Sequence, residues 1–445
     1  MKRATPKFWY IMLLLVTGSF QGLQSQSHEI RVILPDLPDA SLILAHRFGS
    51  RFFIDDTVQT DQQGVAVFKG ERTLEQGMYQ VVLPDKKYIE FFLSDRQHLG
   101  IRSMRNSLSD SLRFENSPEN ELFYRWQRSM RAGNSDPVAW QDSLMPLGEH
   151  IVAKFIRGLM PPRLPEELLN LQEGNETRNI QYQYYRHHFF SNVDFGDGRL
   201  LLTPLINNKL EQYFSQVALP DPDSVIADCK RILSAENIDP KVYQFVLQYL
   251  LNHYSEPKIM GMDAVYVFLA ENYYLNGKAP WISEENLVSI RYRVKELKPT
   301  LLGSQAPPIS GLFNPEGEPV EWNALRSEFL LLYFWEPDCG HCKESTPMLR
   351  AIYDKLRTIG VEVLAVNTRN DTLSWDGFID KENLNWINVY VPGNIIQMLE
   401  DYQAWSTPKI FILNRSRKII AKDIVVDQVL PFMENHLLKF GNGGN

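Results

Sequence analysis

The chain has 445 residues, 44% hydrophobic and 22% charged, with a formal net charge of −8. This length exceeds one ordinary domain and the composition supplies ample core, so two to four globular domains are expected. The acidic balance argues against nucleic acid or anionic lipid as the main partner.

Residues 1–27 read as a targeting segment. Lys2, Arg3 and Lys7 form a positive start, Phe8 to Phe20 an apolar stretch, and Ser25 and Ser27 place small residues before a cleavage point. The stretch is short for a membrane span, which needs about 20 apolar residues. Export with cleavage is therefore expected, and membrane association only if the segment stays attached. No cysteine follows the stretch, which argues against a lipid anchor.

From residue 28 to 115, short β-type runs alternate with turn residues: Ile30–Leu34, Ser41–Leu44, Phe52–Ile54, Val65–Phe68, Tyr79–Leu83 and Tyr88–Leu93. Their spacing predicts a small all-β sandwich with hairpin turns at Asp61–Gly64 and Pro84–Lys87. It shows no nucleophile–base pair and no ligand cluster, so a packing or interaction module is expected.

At Ser117-Pro118 the period changes to helical, and residues 116–299 are expected to form an all-α region starting with Pro118 at its first turn. Pro161, Pro162, Pro165, Pro220, Pro222 and the Asn207-Asn208 pair are expected to separate its helices. His187 and His188 adjoin in sequence, so they do not share a helix face and make a poor metal site. Cys229 sits in a helical pattern and is expected to pack as a small buried hydrophobe.

Residues 300–440 alternate strand and helix, which predicts an α/β sheet layered by helices. A hairpin is expected over Ile309–Trp322, strands at Phe329–Phe334, Glu362–Val366, Ile387–Val391, Lys409–Leu413 and Lys418–Ala421. Helices are expected over Cys342–Thr358, Trp375–Glu382, Asn394–Tyr402 and Val426–Leu438.

Only three cysteines occur, and two of them stand two residues apart in Cys339-Gly340-His341-Cys342, directly after the buried strand. A strand ending there and a helix starting in the motif put the first sulfur at a helix N-terminus, where free N–H groups and the dipole favour a thiolate. The thiolate is the nucleophile of thiol–disulfide exchange. A disulfide closing so small a loop stabilises a fold little, so a chemical role is favoured. Zinc would need two more ligands, and only His341 lies close.

Phe334-Trp335 before the cysteine pair, Pro347 in the following helix, Thr407-Pro408 before a strand and the opening Gly303–Ile309 together resemble the thioredoxin superfamily, and within it the exported TlpA/ResA-like thiol–disulfide oxidoreductases. The resemblance covers about residues 300–440. It implies that Cys339 attacks and Cys342 resolves, that their disulfide is the redox group with no other cofactor, and that Pro408 is a cis proline facing the pair. It also implies that Thr407, Pro408, Trp335, Gly340 and His341 bind or orient the substrate. Implied partners are protein thiols and disulfides and an upstream redox partner, in the periplasm of a Gram-negative bacterium. Oligomeric state is left open.

The sequence departs from the family at two places. Tyr333 stands where thioredoxins keep a buried Asp, and Ser345 where many TlpA/ResA-like proteins have Glu. Glu336 and Glu344 are the candidates to replace that proton acceptor. The resemblance favours a reductase, whereas a His inside the motif resembles the protein disulfide isomerase type and favours an oxidant or isomerase. A binding or assembly protein with an inert thioredoxin-like domain is a further alternative. Peroxide reduction is disfavoured, because the expected Pro-x-x-x-Thr-x-x-Cys pattern is absent around Cys339.

Overall fold

The computed structural model describes residues 27–133, 137–369, 372–393 and 395–441, so the targeting segment expected over residues 1–27 lies almost wholly outside the described residues. The chain forms two compact units, one of residues 1–181, 187–194 and 199–209, the other of residues 182–186, 195–198 and 210–445. Among the described residues, no helix is long and apolar enough to cross a membrane.

The first unit contains eight strands: β1 (His28–Ile33), β2 (Ser41–Phe48), β3 (Arg51–Gln59), β4 (Val65–Gly70), β5 (Gly77–Val82), β6 (Tyr88–Leu93), β7 (His98–Arg102) and β8 (Arg113–Glu115). They make two four-stranded sheets, β4-β1-β7-β8 and β3-β2-β5-β6. Inward residues of both sheets, among them Ile30, Leu44, Phe68, Val81, Phe91 and Ile101, share one core. Alternation explains this, since β1 buries every second residue. The expected turn at Asp61–Gly64 forms because the Asp61 carboxylate accepts from Gln63 N and Val65 N, each at 2.9 Å. Gly64 there has φ +74, and a Cβ would meet the Leu34 carbonyl oxygen at 2.0 Å, so glycine is required. β7 and β8 were not legible as strands; each is short, and β8 pairs with β7 alone.

Ten α-helices follow among the described residues: α1 (Pro118–Arg131), α2 (Pro137–Leu144), α3 (Ile151–Leu159), α4 (Glu166–Leu169), α5 (Asn175–His188), α6 (Leu205–Gln212), α7 (Pro222–Leu233), α8 (Pro240–His253), α9 (Asp263–Leu269) and α10 (Glu284–Leu297). Pro118, Pro222 and Pro240 open theirs, where the missing N–H costs nothing. Ser117 precedes α1 as expected, yet its hydroxyl does not cap the helix; it accepts from Asn120 Nδ2 at 2.7 Å. Asn207 and Asn208, expected to separate helices, lie inside α6. Asn is only a mild helix breaker, and the buried Leu205, Ile206 and Leu210 carry the turn.

The second unit holds a seven-stranded sheet. Its strands are β9 (Leu312–Phe313), β10 (Pro319–Val320), β11 (Phe329–Trp335), β12 (Val361–Asn367), β13 (Ile387–Tyr390), β14 (Lys409–Leu413) and β15 (Ile419–Lys422), in the order β10-β9-β13-β12-β11-β14-β15. Four helices accompany them: α11 (Gly340–Thr358), α12 (Thr372–Glu382), α13 (Ile395–Tyr402) and α14 (Val426–Phe440). β11, β12 and β13 run parallel, while β14 and β15 are antiparallel to their neighbours. Every residue of β11 is buried. Leu331, Tyr333 and Trp335 point into a core with Leu349 and Trp375; Leu330, Leu332 and Phe334 point into another with Met398 and Tyr402. Strands covered on both faces read as continuous apolar runs, which is why this one was legible.

The same unit joins this sheet to the preceding helices through charge. Lys422 Nζ on β15 meets Asp263 Oδ2 on α9 at 2.7 Å, and donates to Thr300 Oγ1 at 3.3 Å. Both side chains of the ion pair are buried. Removing one partner strands a buried charge. Lys422→Ala is therefore expected to cost about 3–5 kcal/mol in urea unfolding of the full chain; a loss below about 1 kcal/mol would place the pair among solvated ones.

Candidate active site

β11 aims the chain at the site. Its last residue is Trp335, the loop Glu336-Pro337-Asp338 follows, and Cys339 occupies the N-cap of α11 in an extended conformation, φ −71 and ψ 126. The helix thus begins two residues earlier than expected from sequence. Its first carbonyl bond runs from Lys343 N to Cys339 O at 3.0 Å. The free N–H groups of the first turn and the positive end of the helix dipole therefore lie beside Cys339 Sγ.

The two cysteines differ sharply in surroundings. Cys339 is partly exposed and Cys342 is completely buried among Tyr333, Trp335 and Leu349. The Cys339 thiol donates to the Thr407 carbonyl at 3.2 Å. That contact sets the loop before β14 against the Cys339 sulfur, and Thr407-Pro408 in it is a cis peptide. Partial burial works to raise the Cys339 thiol; hydrogen bonding from the Thr407 side chain and from the first-turn groups of Cys342 and His341 outweighs it and leaves the thiol below its ordinary value. Burial pushes the Cys342 thiol up to about 12, against hydrogen bonding from the Glu336 backbone and Thr407. This asymmetry fits an outer nucleophile and an inner thiol that stays protonated until needed.

The remaining residues singled out from sequence fall into different places. His341 and Gly340 are exposed at the start of α11, and a Cβ at position 340 would meet nothing within 4 Å. The face in front of Cys339 is thus open, and glycine is not sterically demanded there. Trp335 departs from expectation: it is completely buried, with its ring stacked on Tyr333 at 6.2 Å and 5.3 Å from Phe378. Its inward position follows from alternation along β11, which sends Tyr333 and Trp335 to one face. Its ring lies in the core below the loop that leads to the cysteines.

Of the two carboxylate candidates, Glu344 is exposed on α11. Glu336 is ion-paired with Arg369 and accepts from Thr407 Oγ1 at 3.4 Å. Neither is hydrogen-bonded to Cys342 Sγ among the described residues. Where thioredoxins keep a buried Asp, the Tyr333 hydroxyl instead shares a hydrogen bond of 2.8 Å with Thr346 Oγ1, both residues being fully buried. Burial raises the Tyr333 phenol well above its ordinary range, so it stays neutral. Ser345 turns back to donate to the His341 carbonyl. The interior side of the pair is therefore polar and uncharged.

Arg369 and Trp405 were not foreseen. A cleft of about 390 Å³ runs from Glu336, Arg369 and Thr407 to Ile396 and the half-exposed Trp405. Arg369 reaches it because β11 and β12 are parallel neighbours in which Trp335 is opposite Asn367, so the two following loops meet. That pairing is invisible in the sequence. Trp405 did carry a signal, an aromatic residue two positions before Thr407-Pro408.

A titration follows from the thiol asymmetry. Alkylation of the reduced protein by iodoacetamide is expected first at Cys339, with a rate that rises through an apparent pKa below the roughly 8.5 of free cysteine. Below that pKa the thiol form predominates and the rate falls. Equal labelling of Cys339 and Cys342 at neutral pH would contradict the buried setting of the second thiol.

The chain is similar to known proteins over part of its length. Residues 327–419 match the family model described as thioredoxin-like, and residues 169–299 match a domain of unknown function, DUF5106. The thiol–disulfide oxidoreductase ResA of Bacillus cereus is 23% identical over 138 residues, covering 31% of this chain and 78% of that protein. ResA of Bacillus subtilis is 27% identical over 118 residues, covering 26% of this chain and 64% of that protein. Among solved structures, a thioredoxin-like protein from Bacteroides caccae aligns with 62% of this chain and 98% of its own, at 18% identity and a TM-score of 0.48. A domain of a possible thiol-disulfide isomerase from Cytophaga hutchinsonii aligns with 33% of this chain and 99% of its own, at 27% identity and a TM-score of 0.31. The C-terminal third of the chain is a thioredoxin-like domain of the ResA/TlpA-like kind, and the protein is a thiol–disulfide oxidoreductase.

Proposed function

We propose that this protein is exported, acts in the periplasm of a Gram-negative bacterium, and reduces disulfides in other proteins through Cys339 and Cys342. The observation that carries the reading is the placement of Cys339 Sγ at the start of α11, 3.2 Å from the Thr407 carbonyl, with Cys342 buried behind it. The positive segment and apolar stretch within residues 1–27 support export.

The Cys339 thiolate attacks one sulfur of a substrate disulfide, forming a mixed disulfide and releasing the other substrate sulfur as a thiolate that takes up a proton. Cys342 then loses its proton and attacks Cys339 Sγ. That step releases the second substrate thiol and leaves Cys339–Cys342 oxidised. A dithiol partner upstream must return two electrons for the next cycle. Thr407 and Pro408 border the sulfur and take the substrate segment, and no cofactor beyond the cysteine pair is needed. The buried Cys342 has no carboxylate bonded to its sulfur, so the departing substrate thiolate is the nearest base for its proton.

A second reading has its own support. Hydrogen bonding that holds the Cys339 thiol low stabilises the reduced form and makes a dithiol more oxidising. The TlpA/ResA-like resemblance of the motifs around Cys339 and Thr407-Pro408 favours the reductase over this oxidant or isomerase. Equilibration with glutathione buffers separates them: about −250 mV or lower fits a reductase, about −120 to −180 mV an oxidant or isomerase. Failure to form the internal disulfide would favour the binding or assembly role instead.

Two substitutions test the mechanism. Cys339→Ser is expected to abolish insulin reduction, and Cys342→Ser to accumulate covalent complexes with protein substrates that dithiothreitol releases. Full insulin reduction by Cys339→Ser would overturn the mechanism.

A further inference from the structure

Strand β3 lies at the edge of its sheet and pairs only with β2. Among the described residues, none of the backbone hydrogen bonds outside the ladders involves positions 51–55, and residues 51–54 are exposed, so the first half of its outer row is open. Native sheets usually blunt such an edge with lysine, proline or a very short strand. Here the edge runs nine residues and opens with Arg51-Phe52-Phe53-Ile54, of which Phe52 is 49%, Phe53 44% and Ile54 70% exposed. Three consecutive large apolar residues on a free edge invite pairing rather than prevent it.

The sequence of this edge is complementary to itself. In an antiparallel pair related by a two-fold axis, opposed residues point to the same face, so the register must place one residue opposite its own copy. Centred on Phe53, that register sets Phe53 against Phe53, Phe52 against Ile54, and Arg51 against Asp55. Both ends then carry an opposite-charge pair and the middle is wholly apolar, the kinds of cross-strand pair that stabilise sheets. The charges fit where they stand. Arg51 makes no ion pair among the described residues, and the Asp55 carboxylate, which holds His46 Nδ1 at 2.8 Å, keeps lone pairs for a second cation. The bulge opposite Leu44 and Ala45 falls at Asp55, beyond the apolar run, and leaves residues 51–54 regularly paired to β2.

We propose that β3 is the interface of a homodimer, in which two copies of this chain join their β3 strands antiparallel about Phe53. The two four-stranded sheets so linked become one eight-stranded sheet, with Ile54 and Phe52 of each copy covering one another. This assignment is independent of the redox chemistry, since it rests on the N-terminal sheets alone.

Analytical ultracentrifugation of the mature full chain tests it, with the expectation of a dimer at micromolar concentration. Ile54→Lys sets an ammonium group against Phe52 of the other copy in place of an apolar contact, and is expected to give a monomer with an unchanged circular dichroism spectrum and unchanged insulin reduction. A register test needs no loss of assembly. In a Cys339→Ser, Cys342→Ser background, Phe53→Cys is expected to form an intermolecular disulfide on mild oxidation. Gln59→Cys, whose two copies would lie twelve residues apart, about 40 Å, is expected not to. A monomeric wild type, a dimer that survives Ile54→Lys, or equal cross-linking at positions 53 and 59 would each overturn the proposal.

Discussion

The burial of β11 on both faces is the constraint on which the site depends. A strand with every side chain enclosed is fixed in register by two cores at once, and a slip of one residue would send Tyr333 and Trp335 to the wrong side. Fixing that strand fixes the loop after it, the first turn of α11 and hence the position of Cys339 Sγ. Its other neighbour, β14, is paired along five positions and brings the cis Thr407-Pro408 peptide to the same end of the sheet. Cys339 and the facing loop thus owe their separation to a hydrogen-bonded ladder as well as to the contact between Cys339 Sγ and the Thr407 carbonyl.

The interior behind the pair shows how a polar role is filled without charge. A buried carboxylate is costly unless paired, and here a tyrosine–threonine hydroxyl pair satisfies itself at 2.8 Å. The Glu336 carboxylate is held by Arg369 and Thr407 instead. Cys342 consequently sits in a setting that desolvation dominates, and its thiol is raised to about 12 while the outer thiol is lowered. Opposite shifts on two sulfurs separated by two residues have two causes: hydrogen bonding at the helix mouth lowers the outer thiol, and burial a turn beneath it raises the inner one.

Much of this was legible because it is local. The apolar run, the cysteine spacing and the Thr-Pro dipeptide each state their meaning within a few residues, so β11, α11 and the loop before β14 could be placed with errors of one or two positions. What was not legible depends on pairing. Arg369 joins the cleft because β12 lies beside β11, and Trp335 is buried in the core because alternation turns it inward. In the first sheets the run Phe52–Ile54 announced a strand, but sequence period does not reveal which strand has a free edge. Asn207 and Asn208 misled for the opposite reason: a weak local preference yielded to the apolar residues around them.

The Lys422–Asp263 pair has a consequence for how this protein is built as a set of modules. The thioredoxin-like match ends at residue 419, while Lys422 lies three residues beyond it and its partner lies in the segment matched by a different family. What is inherited as a recognisable unit is therefore smaller than what is buried as one. A redox domain excised at residue 300 would carry Lys422 with neither the Asp263 carboxylate nor, at the cut, a secure Thr300 hydroxyl to receive it. The helical segment is in this sense a completing part of the oxidoreductase, and transplanting the active site to another carrier would mean carrying α9 with it.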